Sequence, residues 1–197
     1  MTLRPDLTLL AGLIPDGSRV LDLGCGSGVL LAHLIANKTC RGAGVEIDPD
    51  AVLAAISLGV PVVELDLDTE LDHFAEDSYD VVVLSRTIQT LKRPREVLQQ
   101  MARIGDQLIV SVPNFGLLRN RLRLMRGRMP MSRDLPHRWY DTPNLRFTTL
   151  VDLEDLFASV DLRIEQRIVL APTGLPSPTG QAWPNLFGAA AVYVLRA

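Results

Sequence analysis

The chain has 197 residues, a net charge of −3 and ordinary shares of apolar (47%) and charged (22%) residues, the profile of a globular protein able to bury one sizeable core. That charge excludes whole-molecule attraction to nucleic acid, and the two cysteines, Cys25 and Cys40, form neither a disulfide framework nor a metal site. Charges and a proline within Met1-Thr2-Leu3-Arg4-Pro5-Asp6 stand where a signal peptide needs an apolar run, and no apolar stretch is long enough to cross a bilayer, so a cytoplasmic enzyme or binding protein is expected.

In chain order, a first helix is predicted over 5–13, with Pro5 in its first turn. A turn at Pro15-Asp16-Gly17-Ser18 leads into strand 19–23, and a crossover helix follows over 27–36. Strand 43–47 and helix 49–58, ending at Gly59, come next. The apolar runs at 60–65, 81–84 and 108–112 read as strands buried on both faces of a parallel sheet. Helix 95–104 links the last two of them. Thr149-Leu150-Val151-Asp152 has the form of a capping box and opens a helix to about 160. Strands at 162–170 and 189–195 close the chain, with Pro172, Pro176, Pro178 and Pro184 breaking the connection and no helix expected between them. Alternating strands and helices imply an α/β, doubly wound sheet. The last strand, reached without a crossover helix, is free to pair antiparallel. One domain is expected over 1–197.

The chemistry gathers at two strand ends. Val20-Leu21-Asp22-Leu23 runs into Gly24-Cys25-Gly26-Ser27-Gly28, and the next strand ends in Glu46-Ile47. Glycines let the loop turn sharply and let a ligand approach bare backbone. The following helix aims free N–H groups at the same place. Cys25 meets the loop's need for a small side chain. A dinucleotide site would require G-x-G-x-x-G, whereas the spacing here is G-x-G-x-G with Asp22 just ahead. A carboxylate there suits an ammonium and a sulfonium better than a pyrophosphate, which points to S-adenosylmethionine. Glu46 suits a ribose diol. A plain strand–helix turn is the alternative.

These residues resemble motif I and the second-strand acidic motif of class I S-adenosylmethionine-dependent methyltransferases. Nearly the whole chain is similar to the MetW family of methionine biosynthesis. The matching segments are Asp66-Leu67-Asp68, Tyr79 to Gln89, Val112-Pro113-Asn114-Phe115 and, most specifically, Trp139-Tyr140-Asp141-Thr142-Pro143-Asn144. The resemblance implies a seven-stranded Rossmann-like sheet whose last strand is antiparallel. It implies S-adenosyl-L-methionine or S-adenosyl-L-homocysteine in a groove formed by Asp22, Gly24, Cys25, Gly26, Gly28, Glu46, Ile47, Asp66, Leu67 and Ser85. Asp66 reads equally as a solvated carboxylate in an acidic loop, and Ser85 as a helix cap.

Between Phe115 and Phe147 lie eight arginines (119, 121, 123, 126, 128, 133, 138 and 146) against Asp134 and Asp141, a local balance of +6 that leaves −9 for the rest. Leu118, Leu122, Met125 and Met129 share a helical stripe there, so 115–147 is expected to be a basic insertion serving as lid or partner surface. If the protein is catalytic, candidate bases are His137, Tyr140 and Asp141. The sequence after strand 81–84, Ser85-Arg86-Thr87-Ile88-Gln89, lacks the Asn-Pro-Pro-Tyr pattern of amine methylation. Three functions remain open. The resemblance implies a partner or regulatory subunit of a homoserine O-acyltransferase (MetX). The motifs alone fit a methyltransferase with a small-molecule acceptor. A basic amphipathic helix over 115–129 would fit an interfacial membrane role, although stable membrane association is not expected.

Overall fold

The computed structural model describes residues 3–132 and 135–197; Met1, Thr2, Arg133 and Asp134 lie outside the described residues. The elements are α1 (Pro5–Leu13), β1 (Arg19–Leu23), α2 (Val29–Lys38), β2 (Arg41–Glu46), α3 (Pro49–Ser57), β3 (Val62–Glu64) and β4 (Tyr79–Ser85). They continue with α4 (Pro94–Ile104), β5 (Gly105–Pro113), α5 (Leu118–Met125), α6 (Leu150–Ala158), β6 (Arg163–Leu170), α7 (Pro178–Ala182), α8 (Pro184–Phe187) and β7 (Ala190–Arg196). Short 3₁₀ turns occupy Leu71–His73 and Ile88–Thr90.

One seven-stranded sheet has the order β3-β2-β1-β4-β5-β7-β6. The first five strands are parallel, and β7 runs antiparallel to both β5 and β6. Alternate side chains of the central strands enter opposite layers, as the period of two requires. Leu21, Leu23, Val82, Leu84, Leu108 and Val110 join α4 and α6 on one face. Val20, Val81, Val83, Ile109 and Val192 join α1 and α2 on the other. The chain leaves β1 outward through β2 and β3, then returns to β4 on the other side of β1. The crevice at the carboxyl ends of β1 and β4 is therefore the switch point of the sheet.

Four expectations require correction. Helix α2 begins at Val29, two residues late, because Gly28 takes the left-handed conformation (φ 72°) and closes the loop with its N–H on the Cys25 carbonyl, 3.0 Å. Strand β3 is an edge strand with one neighbour, and its three residues are half-buried or exposed. Prolines 178 and 184 do not interrupt the β6–β7 connection; each starts a short helix, where a missing N–H costs nothing. The basic helix stops at Met125, since Gly127 (φ 70°) turns the chain back and takes Met129 off the stripe. The capping box at Thr149 forms as read, with Asp152 N–H on Thr149 Oγ1 and the Asp152 carboxylate on the Thr149 N–H.

Candidate functional site

Two cavities flank Gly24 at the switch point. One, of about 340 Å³, is bounded by Glu46, Ile47, Asp66, Leu67, Arg86 and Thr87. The other, of about 380 Å³, is bounded by Arg4, Leu7, Asp22, Gly26, Ser27 and Ser85. Gly24 lines both. Thr87, in the wall of the first cavity, packs on it: a Cβ on Gly24 would fall 2.5 Å from Thr87 Oγ1, so that hydroxyl rests on bare backbone.

The glycine loop is built from three left-handed residues, Gly24 (φ 70°), Gly26 (φ 54°) and Gly28 (φ 72°). They do different work. A Cβ on Gly26 would meet open space, whereas one on Gly28 would lie 3.0 Å from Ala55 Cβ and 3.2 Å from Val60. Gly28 thus packs α2 onto α3 and lines neither cavity. Cys25 borders the second cavity, and its Sγ fills the space left by Gly44, where a Cβ would stand 2.4 Å away. Burial pushes its thiol up to about 12, with the charges of Asp22 and Glu46 adding to the effect, so no reactive thiolate is present.

Asp22 is 3% exposed, and its Oδ1 has no hydrogen-bond partner. Burial first, and the nearby charge of Glu46 second, raise its carboxyl to about 7. Glu46 is occupied: its Oε2 accepts from Gly26 N–H at 2.8 Å, and Oε1 accepts from Ile47 and Asp48 N–H at 2.8 and 3.1 Å. One carboxylate therefore braces the loop and retains lone pairs toward the cavity. Asp66 accepts from Asp68 N–H at 2.9 Å in a tight turn, with buried Leu67 between them. Ser85 caps no helix; its Oγ lies 3.1 Å from Ser111 Oγ. Ser111 in turn fixes the backbone of Arg86, accepting from Arg86 N–H at both its carbonyl and its hydroxyl.

Arg86, Thr87, Arg4 and Leu7 were not among the expected site residues. Arg86 adopts φ 56°, a left-handed conformation that costs a side-chain-bearing residue about 1 kcal/mol or more. Its guanidinium meets the buried Asp6 of α1 at 3.3 Å, tying the first helix to the end of β4. A strand-end position signals Arg86 and Thr87, but nothing local in Arg4 or Leu7 announces a place in a cavity wall; only the docking of α1 brings them there. His137, Tyr140 and Asp141 are exposed and line neither cavity. His137 instead borders a small recess with Phe115, Met129 and Phe147. Among the described residues no cluster of metal-ligating side chains exists, and no helix is long and apolar enough to cross a membrane.

This strand order, the antiparallel β7 and a glycine loop at the end of β1 define the fold of the class I S-adenosylmethionine-dependent methyltransferases. Solved structures agree: an S-adenosylmethionine-dependent methyltransferase from Mesorhizobium loti superimposes with a TM-score of 0.72 over 98% of both chains at 17% identity. One from Archaeoglobus fulgidus gives 0.72 over 98% of this chain and 92% of its own, also at 17% identity. Within that fold the chain belongs to the family of methionine biosynthesis protein MetW, whose model matches residues 4–195. It is 34% identical over 178 residues to the bifunctional methionine biosynthesis protein MetXA/MetW of Rhodopirellula baltica, covering 85% of this chain and 29% of that protein. A ribosomal protein L11 methyltransferase of Pectobacterium carotovorum is 32% identical over 53% of this chain and 37% of its own length. The chain thus spans about a third of these curated relatives. The [4+2]-cyclase SpnF shares the fold at a TM-score of 0.68 and 14% identity, so the fold by itself does not fix a reaction.

Proposed function

We propose that this protein binds S-adenosylmethionine or S-adenosylhomocysteine and serves as a partner subunit of a homoserine O-acyltransferase. The observation that carries the ligand is the buried, unpartnered carboxylate oxygen of Asp22 at the wall of the second cavity. A buried anion without a partner is costly, and a ligand ammonium would supply the missing charge. Gly24 and Gly26 offer backbone without side chains, Glu46 would accept from ribose hydroxyls, and Asp66 with Leu67 would border the base. Gly28 and the Cys25 thiol support the loop from behind. S-adenosylmethionine, when bound, would bring an activated methyl group; S-adenosylhomocysteine would bring none.

Partnership rests on the family and on the Rhodopirellula relative, whose name joins MetXA and MetW in one protein. Methyl transfer to a small acceptor is the second reading, since positioning alone supplies much of the rate for a sulfonium donor. It ranks behind because none of His137, Tyr140 or Asp141 borders the cavities. Calorimetry with S-adenosylmethionine, S-adenosylhomocysteine and NAD tests the ligand: binding of the first two and not of NAD is expected, and the reverse overturns the assignment. Co-purification with the acyltransferase, without consumption of S-adenosylmethionine, is the expected result for the role.

A further inference from the structure

Helix α5 turns its apolar side to solvent. Leu118, Leu122 and Met125 share one stripe, and Met125 is 74% exposed. The inward side is anchored by a polar residue instead: Asn120, 1% exposed, donates through Nδ2 to the carbonyls of Asn114 and Phe115 at 3.3 and 3.2 Å. Exposed Met129 and Trp139 share one recess with Phe115 at the base of the helix, and α8, with exposed Phe187, packs beside α5.

Arginines flank this apolar surface, and three are held in place. Arg121 Nε donates to the Gly116 carbonyl at 2.6 Å and Arg123 Nε to the Met129 carbonyl at 3.3 Å. Arg138 Nη1 donates to Tyr140 Oη at 2.6 Å, with its guanidinium 5.9 Å from that ring's centre. Each of these bonds uses one of five N–H donors, leaving pre-oriented forks for carboxylates. Asp141 is the only acidic residue among the described residues of this segment.

We propose that this face is the docking surface for the acyltransferase, through a patch of that partner that sets carboxylates around an apolar centre. The proposal rests on the partner-subunit reading above and adds where the contact lies. Charge complementarity selects the occupant, because a segment of +6 on a chain of −3 repels another basic surface and attracts an acidic one. Pinned guanidiniums favour protein over lipid: fixed forks lose little freedom on pairing, and an eight-residue helix, about 12 Å long, is short for lying in a bilayer interface. A second group of exposed apolar residues, Leu53 and Ile56 of α3 with Val63 of β3, is flanked in the chain by the acidic Asp50 and Glu64 instead of by arginines.

The test measures acyltransferase binding by the full chain and three variants. Met125→Glu should weaken it at least tenfold. Arg119→Glu with Arg126→Glu should slow association and flatten its salt dependence. Leu53→Asp with Ile56→Asp should bind like the parent. All five positions are exposed, and thermal unfolding of each variant confirms folding. If the parent binds and the first two variants bind equally well, or only the α3 variant loses binding, the docking face is wrong while the partnership stands. If the parent does not bind the acyltransferase at all, the partnership fails and this proposal with it. Flotation of the parent with phosphatidylglycerol vesicles, lost in Met125→Glu while that variant keeps acyltransferase affinity, would assign the face to lipid and overturn the proposal.

Discussion

On the proposed function, Asp22 couples ligand, proton and stability in one side chain. Its carboxyl sits at about 7 in the folded chain, against about 3.9 for an unfolded aspartate. The folded state holds the proton more tightly, so this residue favours folding at low pH, and that contribution declines as pH rises from about 4 to about 7. A ligand ammonium favours the ionised form, so affinity should strengthen as pH rises through 7, with proton release on binding below it. Asp22→Asn should remove this residue's share of both slopes, seen as unfolding temperatures that fall less than the parent's between pH 4 and 7, and as a weakened affinity that no longer strengthens as pH rises through 7. Glu46 has a double load, because removing it orphans the N–H groups of Gly26, Ile47 and Asp48 along with any ribose contact. Glu46→Ala should lose at least tenfold in affinity, consistent with about 1.5–3 kcal/mol for a charged hydrogen bond, and should also unfold at lower temperature than the parent. An affinity loss without a stability loss would mean the loop stands without its brace.

At the scale of elements, the glycine loop separates open space at Gly26 from packing space at Gly28. Gly26→Ala places a methyl where nothing stands within 4 Å, and Gly28→Ala drives one into Ala55 and Val60. Both carry the left-handed penalty of about 1 kcal/mol. Gly28→Ala should therefore be the less stable variant, and Gly26→Ala the one whose ligand affinity suffers more per degree of stability lost; unfolding curves paired with titrations decide. Thr149→Ala, which opens the capping box of α6, should cost about 1 kcal/mol in denaturant unfolding. Much of this was legible in the sequence where local pattern and tertiary role coincide. The apolar runs at 81–84 and 108–112 are interior strands, and the Thr149 box is a helix start, because local chemistry alone dictates each. Legibility failed where the decision is made elsewhere in the chain. Val62–Glu64 has the composition of a buried strand, but its position at the sheet edge leaves Val63 half in water. The stripe on α5 has the spacing of a core-facing helix, yet two asparagines hold that helix the other way round. Within the site, Asp22 and Glu46 stand out by spacing from the glycines, whereas Arg4 and Leu7 reach it through the Asp6–Arg86 ion pair, a tertiary contact without a sequence signature.

For the whole molecule, charge is segregated: the segment around α5 is cationic and the remainder anionic, so total charge understates how strongly the protein orients in the field of a partner. The antiparallel seventh strand has a further consequence, which concerns time. Strand β7 is synthesised after β6 but lies between β5 and β6, in register with Leu108–Pro113 on one side and Arg163–Leu170 on the other. Until residues 190–196 leave the ribosome, β6 has no seat in the sheet and β5 shows an unpaired hydrophobic flank. At about 5–20 residues per second, the seconds after β5 emerges leave the nascent chain with that apolar edge uncovered, and β7 acts as the wedge that joins β6 to the sheet.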